Sequence, residues 1–126
     1  MKVRIDVSAA DPVWRQIADQ IRAHLVSGRL RPGARLATVR ELAIDLGVNH
    51  NTVATAYTRL AEEGFLRLVR GVGAEVVERA VPKAQAGEPE RFARRLSALV
   101  AEARSLGVPP LSLQAALVRE AEGLLS

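Results

Sequence analysis

The chain has no cysteine among its 126 residues, which excludes disulfide bridges, thiolate nucleophiles and cysteine-bound metals. Aromatic residues are only 3%, so the core must come from Leu, Val, Ile and Ala, a composition that favours helices packed on aliphatic stripes. Groups suited to catalysis are equally scarce. The two histidines, His24 and His50, stand without a phosphate-loop pattern or a carboxylate pair at ligand spacing. No catalytic residue, no metal and no cofactor is therefore expected, and His24 reads as a surface or boundary residue. Long apolar runs are missing too. The amino terminus shows only Val3, Ile5 and Val7 alternating with Arg4 and Asp6. A secretory signal is longer, and a spanning helix needs roughly 20 apolar residues. The expectation is a cytoplasmic, soluble protein with no membrane partner.

What is present is 48% hydrophobic and 25% charged residues, with a formal net charge of +4. That balance supports a folded core and leans mildly toward a polyanionic partner. Arginine supplies 16 of the 18 basic residues, and its planar fork suits phosphates and guanine edges. Arg22, Arg29, Arg31, Arg35 and Arg40 follow one another with no acidic residue between Arg22 and Arg40.

The alternation at Val3–Val7 predicts a short strand with one buried face. Asp11-Pro12 predicts a helix start, Asp11 as N-cap and Pro12 as first helical residue. Ile17, Ile21 and Leu25 continue that helix to Gly28, and Pro32-Gly33 marks a turn. Thr38 with Glu41 three positions on fits a capping box, opening a second helix whose stripe is Val39, Leu42, Ala43 and Leu46. Gly47 ends it, Asn49 caps a third helix carrying Val53, Ala56, Tyr57 and Leu60, and Gly64 closes that one. From Phe65 the period becomes two: strands at Phe65–Val69 and Glu75–Glu78, with Leu66 and Leu68 on one face, flank Gly71-Val72-Gly73. This order predicts a mainly α fold with a small β-wing. It is a winged helix-turn-helix over residues 1–79, with its recognition motif at about 39–58.

The short link Leu46-Gly47-Val48-Asn49 lets the third helix leave at a steep angle and project its first turn outward. Asn49 alone would satisfy capping. His50, Asn51 and Thr52 go beyond that need and can hydrogen-bond base edges or phosphates, and Thr55 extends their face. Arg40 lies in the first turn of the second helix. It can be solvated or paired with Glu41 or Asp45, but that helix crosses the DNA backbone in this motif, which makes DNA the better partner. Thr38 at the cap can present its hydroxyl and nearby amides to a phosphate.

Residues 12–77 resemble the DNA-binding domain of the GntR family of bacterial regulators. The resemblance rests on Pro12-Val13-Trp14-Arg15-Gln16-Ile17, Gly28-Arg29-Leu30-Arg31-Pro32-Gly33 and Val39-Arg40-Glu41-Leu42-Ala43. It continues through Gly47-Val48-Asn49, Asn51-Thr52-Val53, Ala56-Tyr57 and Leu60-Ala61-Glu62-Glu63-Gly64. It implies that Thr38, Arg40, His50, Asn51, Thr52, Tyr57, Gly71 and Gly73 face a double-stranded DNA operator, with the wing tip in the minor groove. Tyr57 also lies on the apolar stripe, where burial would leave only its hydroxyl for a phosphate. The chain departs from the family in two places: Ala37-Thr38 replaces the usual Pro-Ser, and Val72 replaces the wing arginine. A valine brings no charge to a narrow minor groove. Arg70 is the nearest cation to take that part.

Residues 80–90, with two prolines, one glycine and no periodicity, read as a linker. Residues 91–126 read as two helices: one carries Phe92, Leu96, Leu99, Val100, Ala103 and Leu106, and the other, capped by Ser112, carries Leu113, Leu117, Ala121 and Leu124. This segment is too short to enclose a usual ligand pocket, and it resembles the short YtrA-type branch of the family. That branch implies a homodimer on a near-palindromic operator, repression, and control of its own operon and neighbouring transporter genes. Phe92, Leu96, Leu99, Leu106, Leu113, Leu117 and Leu124 are then the dimerisation residues. The same stripes could instead fold back on the first domain. A winged helix that binds protein rather than DNA, and a sensor with a small site at the dimer seam and an unidentified effector, stay open as alternatives.

Overall fold

Ile17 and Ile21, one helical turn apart, join Ala18 as the buried stripe of α1 (Val13–Val26). The structure is a computed structural model that describes residues 1–71 and 73–125; the wing-tip Val72 lies outside them. It comprises two units, residues 1–80 and 81–126. The entry to α1 differs from expectation. Pro12, not Asp11, is the N-cap, at φ −56° and ψ 148°, and no side chain caps the helix. Proline's fixed φ serves the extended entry residue, and its carbonyl accepts from the N–H groups of Arg15 and Gln16 at 3.0 and 3.1 Å.

Residues 3–7 form no strand, which corrects the reading of their alternation. An extended backbone still needs hydrogen-bond partners, and two side chains of α1 provide them. Gln20 Oε1 accepts from Arg4 N–H at 2.9 Å while its Nε2 donates to the Arg4 carbonyl at 2.6 Å. Gln16 repeats the arrangement at Asp6, both contacts at 2.9 Å. Two carboxamides one turn apart thus stand in for a neighbouring strand. Val3 and Ile5 pack partly against the core. Val7 does not: it is 89% exposed, beside a turn in which the Asp6 carboxylate accepts from Ser8 N–H and Oγ.

The capping box forms as its residues imply. Thr38 Oγ1 accepts from Glu41 N–H at 3.1 Å, and Thr38 N–H donates to Glu41 Oε1 at 3.2 Å, opening α2 (Val39–Leu46). Gly47 ends α2 at φ +67°, a conformation that costs glycine nothing. Asn49 Oδ1 then accepts from Asn51 N–H at 2.8 Å and starts α3 (His50–Glu62). Leu42 and Ala43 of α2, with Val53, Ala56, Tyr57 and Leu60 of α3, meet the α1 stripe in one aliphatic core.

Three antiparallel strands complete this unit in the order β1 (Arg35–Leu36), β3 (Gly73–Val76), β2 (Leu66–Val69). At two residues, β1 is too short to show an alternation and was not predicted; pairing of Leu36 with Ala74 defines it. β3 occupies Gly73–Val76 rather than Glu75–Glu78. Leu36, Leu66, Ala74 and Val76 close the core from the sheet side. Leu68, expected to share Leu66's buried face, is 47% exposed, because it borders an open cleft between the hairpin and the helices. Helix, helix-turn-helix and β-wing around one core make this a winged helix.

The second unit holds α4 (Glu88–Ser105) and α5 (Pro110–Leu124). α4 begins inside the stretch read as linker. Gly87 is its N-cap, Pro89 sits in the first turn where a missing N–H is harmless, and Glu88 and Glu90 lie at the positive helix end. α5 is entered through Pro109 as N-cap, so Ser112 lies within the helix and does not cap it; Leu113 N–H donates to the Pro109 carbonyl at 3.0 Å. Neither helix has a buried residue. No helix among the described residues is long and apolar enough to cross a membrane.

Candidate nucleic-acid interface

The start of α2 is held from two sides. From α3, the Tyr57 hydroxyl donates to the Ala37 carbonyl at 2.7 Å. From the wing, Gly73 (φ +107°) comes so close that a Cβ there would lie 2.8 Å from the Leu36 oxygen and 3.2 Å from the Ala37 oxygen. Real Cβ atoms essentially never approach backbone so closely, so only glycine fits. These contacts lock the Thr38 turn, and with it Arg40, to α3 and the wing.

Tyr57 and Gly73, both expected to face DNA, have packing roles here, and Gly73 keeps its place in the lining of the cleft at the wing. Tyr57 is 1% exposed with its hydroxyl already donated, and burial, helped by the Glu41 charge, pushes its pKa up to about 12. It is a neutral phenol that positions Ala37-Thr38 rather than a phosphate ligand. Glu41 is held below the usual carboxylate range by the hydrogen bonds from Thr38, so the capping box keeps its charged form.

All the candidates except Thr52 line one of three grooves on α2, α3 and the hairpin. A cleft of about 560 Å³ between α2, α3 and the hairpin is lined by Thr38, Arg40, Tyr57, Arg70, Gly71 and Gly73, among others. Beyond Arg40, a groove over the helix-turn-helix bend reaches Asn49 and His50. A third groove runs along α3 past Asn51 and Thr55. His50, Asn51 and Thr55 are exposed and Thr52 is half-buried, lining none of the three grooves. Thr55 Oγ1 donates to the Asn51 carbonyl at 2.9 Å, which leaves its oxygen to accept. Arg70 and Gly71 are exposed at the hairpin turn.

Two residues of these grooves were missed. Thr58, exposed, lines both the cleft and the α3 groove; its place seven residues after Asn51 and three after Thr55 was the available signal. Ile44, one turn after Arg40, is 82% exposed beside His50. Its place off the Val39, Leu42, Ala43 and Leu46 stripe was the available signal.

At the other end, Arg22 grips Glu63 through two hydrogen bonds of 2.7 and 2.6 Å, tying α1 to the end of α3. Arg79 Nε donates to the Glu63 carbonyl at 2.7 Å, and its guanidinium stacks 4.2 Å from the Phe65 ring centroid. The Arg22 bond holds the Glu63 carboxyl below its ordinary pKa.

In the second unit, Phe92, Leu96, Leu99, Leu106, Leu117 and Leu124 are exposed. Leu113 is half-buried, as are Val100, Ala103 and Ala116, where α4 and α5 shelter each other.

Residues 14–76 match the family described as "Bacterial regulatory proteins, gntR family". The chain is 33% identical over 106 residues to the HTH-type transcriptional repressor YtrA of Bacillus subtilis (strain 168), an alignment spanning 84% of this chain and 82% of that protein. Among solved structures, YtrA from Sulfolobus acidocaldarius, a GntR-family transcription factor, superposes with a TM-score of 0.60 at 35% identity. It covers 78% of this chain and 97% of its own. The DNA-binding domain of AraR in complex with operator ORX1 gives 0.53 at 25% identity, over 61% of this chain and 96% of that one.

Proposed function

The chain belongs to the gntR family of bacterial regulatory proteins, and we propose that it represses transcription as a homodimer bound to a near-palindromic operator. It is a DNA-binding regulator and not an enzyme. The observation that carries the reading is the cleft at the wing: Thr38, Arg40 and Arg70 line it, no carboxylate does, and Arg40 also borders the groove that reaches the exposed Asn49 and His50. Cations there position the phosphates, while His50 and Asn51 reach base edges in the major groove.

The apolar residues that α4 and α5 leave exposed support pairing with a second copy. Two helices with no buried residue gain little from each other alone. A dimer presents two recognition helices to half-sites roughly 34 Å apart. Occupancy then excludes polymerase. The chain's own operon and neighbouring transporter genes are the first targets to examine, in the cytoplasm.

Footprinting on the DNA upstream of the protein's own gene tests this directly. The expected result is a protected, two-fold symmetric site whose affinity falls with salt at a log–log slope of about −0.9 per phosphate contacted. No affinity for any duplex at low salt would instead favour a winged helix that binds protein.

A further inference from the structure

We infer that the cleft between α2, α3 and the wing is also an effector site, taking a small amphipathic organic anion that competes directly with the operator. This rests on the DNA-binding reading above, because the same cleft serves both partners. Its volume, about 560 Å³, falls within the roughly 300–1,000 Å³ of small-molecule pockets. Its composition is unusual for a surface that meets DNA alone. Val39, Ala54, Leu68 and Val69 furnish an apolar floor beside the Tyr57 ring, and Leu68 is left 47% exposed there.

The rim is cationic. Arg40 and Arg70 line the cleft, and neither has an ion-pair partner among the described residues. No lining residue is acidic. Phosphates need the cations and gain nothing from an aliphatic floor, which nucleic acid meets only through thymine methyls and sugar carbons. An apolar body carrying one carboxylate or phosphate uses both. The anionic head pairs with the arginines while the body covers Leu68 and Val69, removing apolar surface from water. The two occupants share the same cations, so their binding is mutually exclusive, and release from DNA needs no separate ligand domain.

The test uses the full chain and naphthalene-1-carboxylate, with the neutral naphthalene-1-carboxamide as its isostere, at constant ionic strength. Calorimetry on the protein alone measures direct binding, and fluorescence anisotropy with the footprinted duplex measures competition. The expected result is carboxylate binding that weakens apparent duplex affinity about eleven-fold at ten times its own Kd, with little effect from the carboxamide. Leu68→Gln should keep its melting temperature, since water already reaches this side chain, and should lose carboxylate binding at least ten-fold, a larger factor than any loss of duplex affinity because the cations that hold phosphate are untouched.

Absence of carboxylate binding, equal binding of the carboxamide, or binding unchanged in Leu68→Gln each overturns the proposal. If no duplex is bound at all, the regulatory reading falls, and calorimetry with the Leu68→Gln variant still decides the cleft.

Discussion

The two units of this chain solve the burial problem in opposite ways. Every buried side chain among the described residues lies between Ile17 and Val76, where three helices and a sheet share one core. In α4 and α5 the same kinds of residue occur at helical spacing, yet Phe92, Leu96 and Leu99 stay exposed. An amphipathic pattern specifies a helix and a face; it does not specify what covers the face. The first unit contains its own cover. The second leaves its apolar residues exposed.

That contrast can be broken most severely by cutting the chain. Residues 1–80 alone should remain folded and monomeric, and operator affinity should drop by about 10²- to 10⁴-fold as two linked contacts become one. Sedimentation and anisotropy check this; a fragment that still pairs would move the dimer contact into the first unit. Next comes a matched pair of truncations. Leu60→Ala, in the core, should cost about 2–5 kcal/mol in the unfolding of the first unit. Leu99→Ala should leave that transition in place and weaken self-association instead, as calorimetry and sedimentation together would reveal.

A smaller effect sharpens the functional side. Arg40→Ala should lose about 1–3 kcal/mol of specific operator binding if the guanidinium reads a base, with the melting temperature unchanged. An equal loss on all sequences would reassign it to phosphate. The smallest effect concerns Glu63. Its folded pKa is depressed by Arg22, so the carboxylate contributes stability above its unfolded pKa, and that contribution is lost as pH falls through the folded value. Because the pair is partly exposed, Glu63→Gln should cost about 1 kcal/mol at neutral pH. The difference from wild type should disappear under acid conditions in pH-dependent melts.

Local chemistry was legible at the helix-turn-helix bend, where partners lie within a few residues. The capping box at Thr38 and Glu41, the left-handed Gly47 and the Asn49 cap were all readable for that reason, since each motif spans no more than one turn. The strand expectation at residues 3–7 failed because its partners are two glutamine side chains 10 to 16 residues away. The Asp11 and Ser112 caps failed because neighbouring prolines took over the helix entries. Leu66 and Leu68 alternate correctly, but only the packing of the helices against the hairpin decides that one is buried and the other borders an open cleft.

The order of residues was enough to dictate three helices, a sharp bend and a wing, since capping and apolar period act over short range. Which tyrosine becomes a strut, which glycine must be bare for backbone to pass, and which arginines are left unpaired around an apolar cleft were decided only on folding. Those outcomes depend on distances between elements far apart along the chain, and no short-range pattern encodes them.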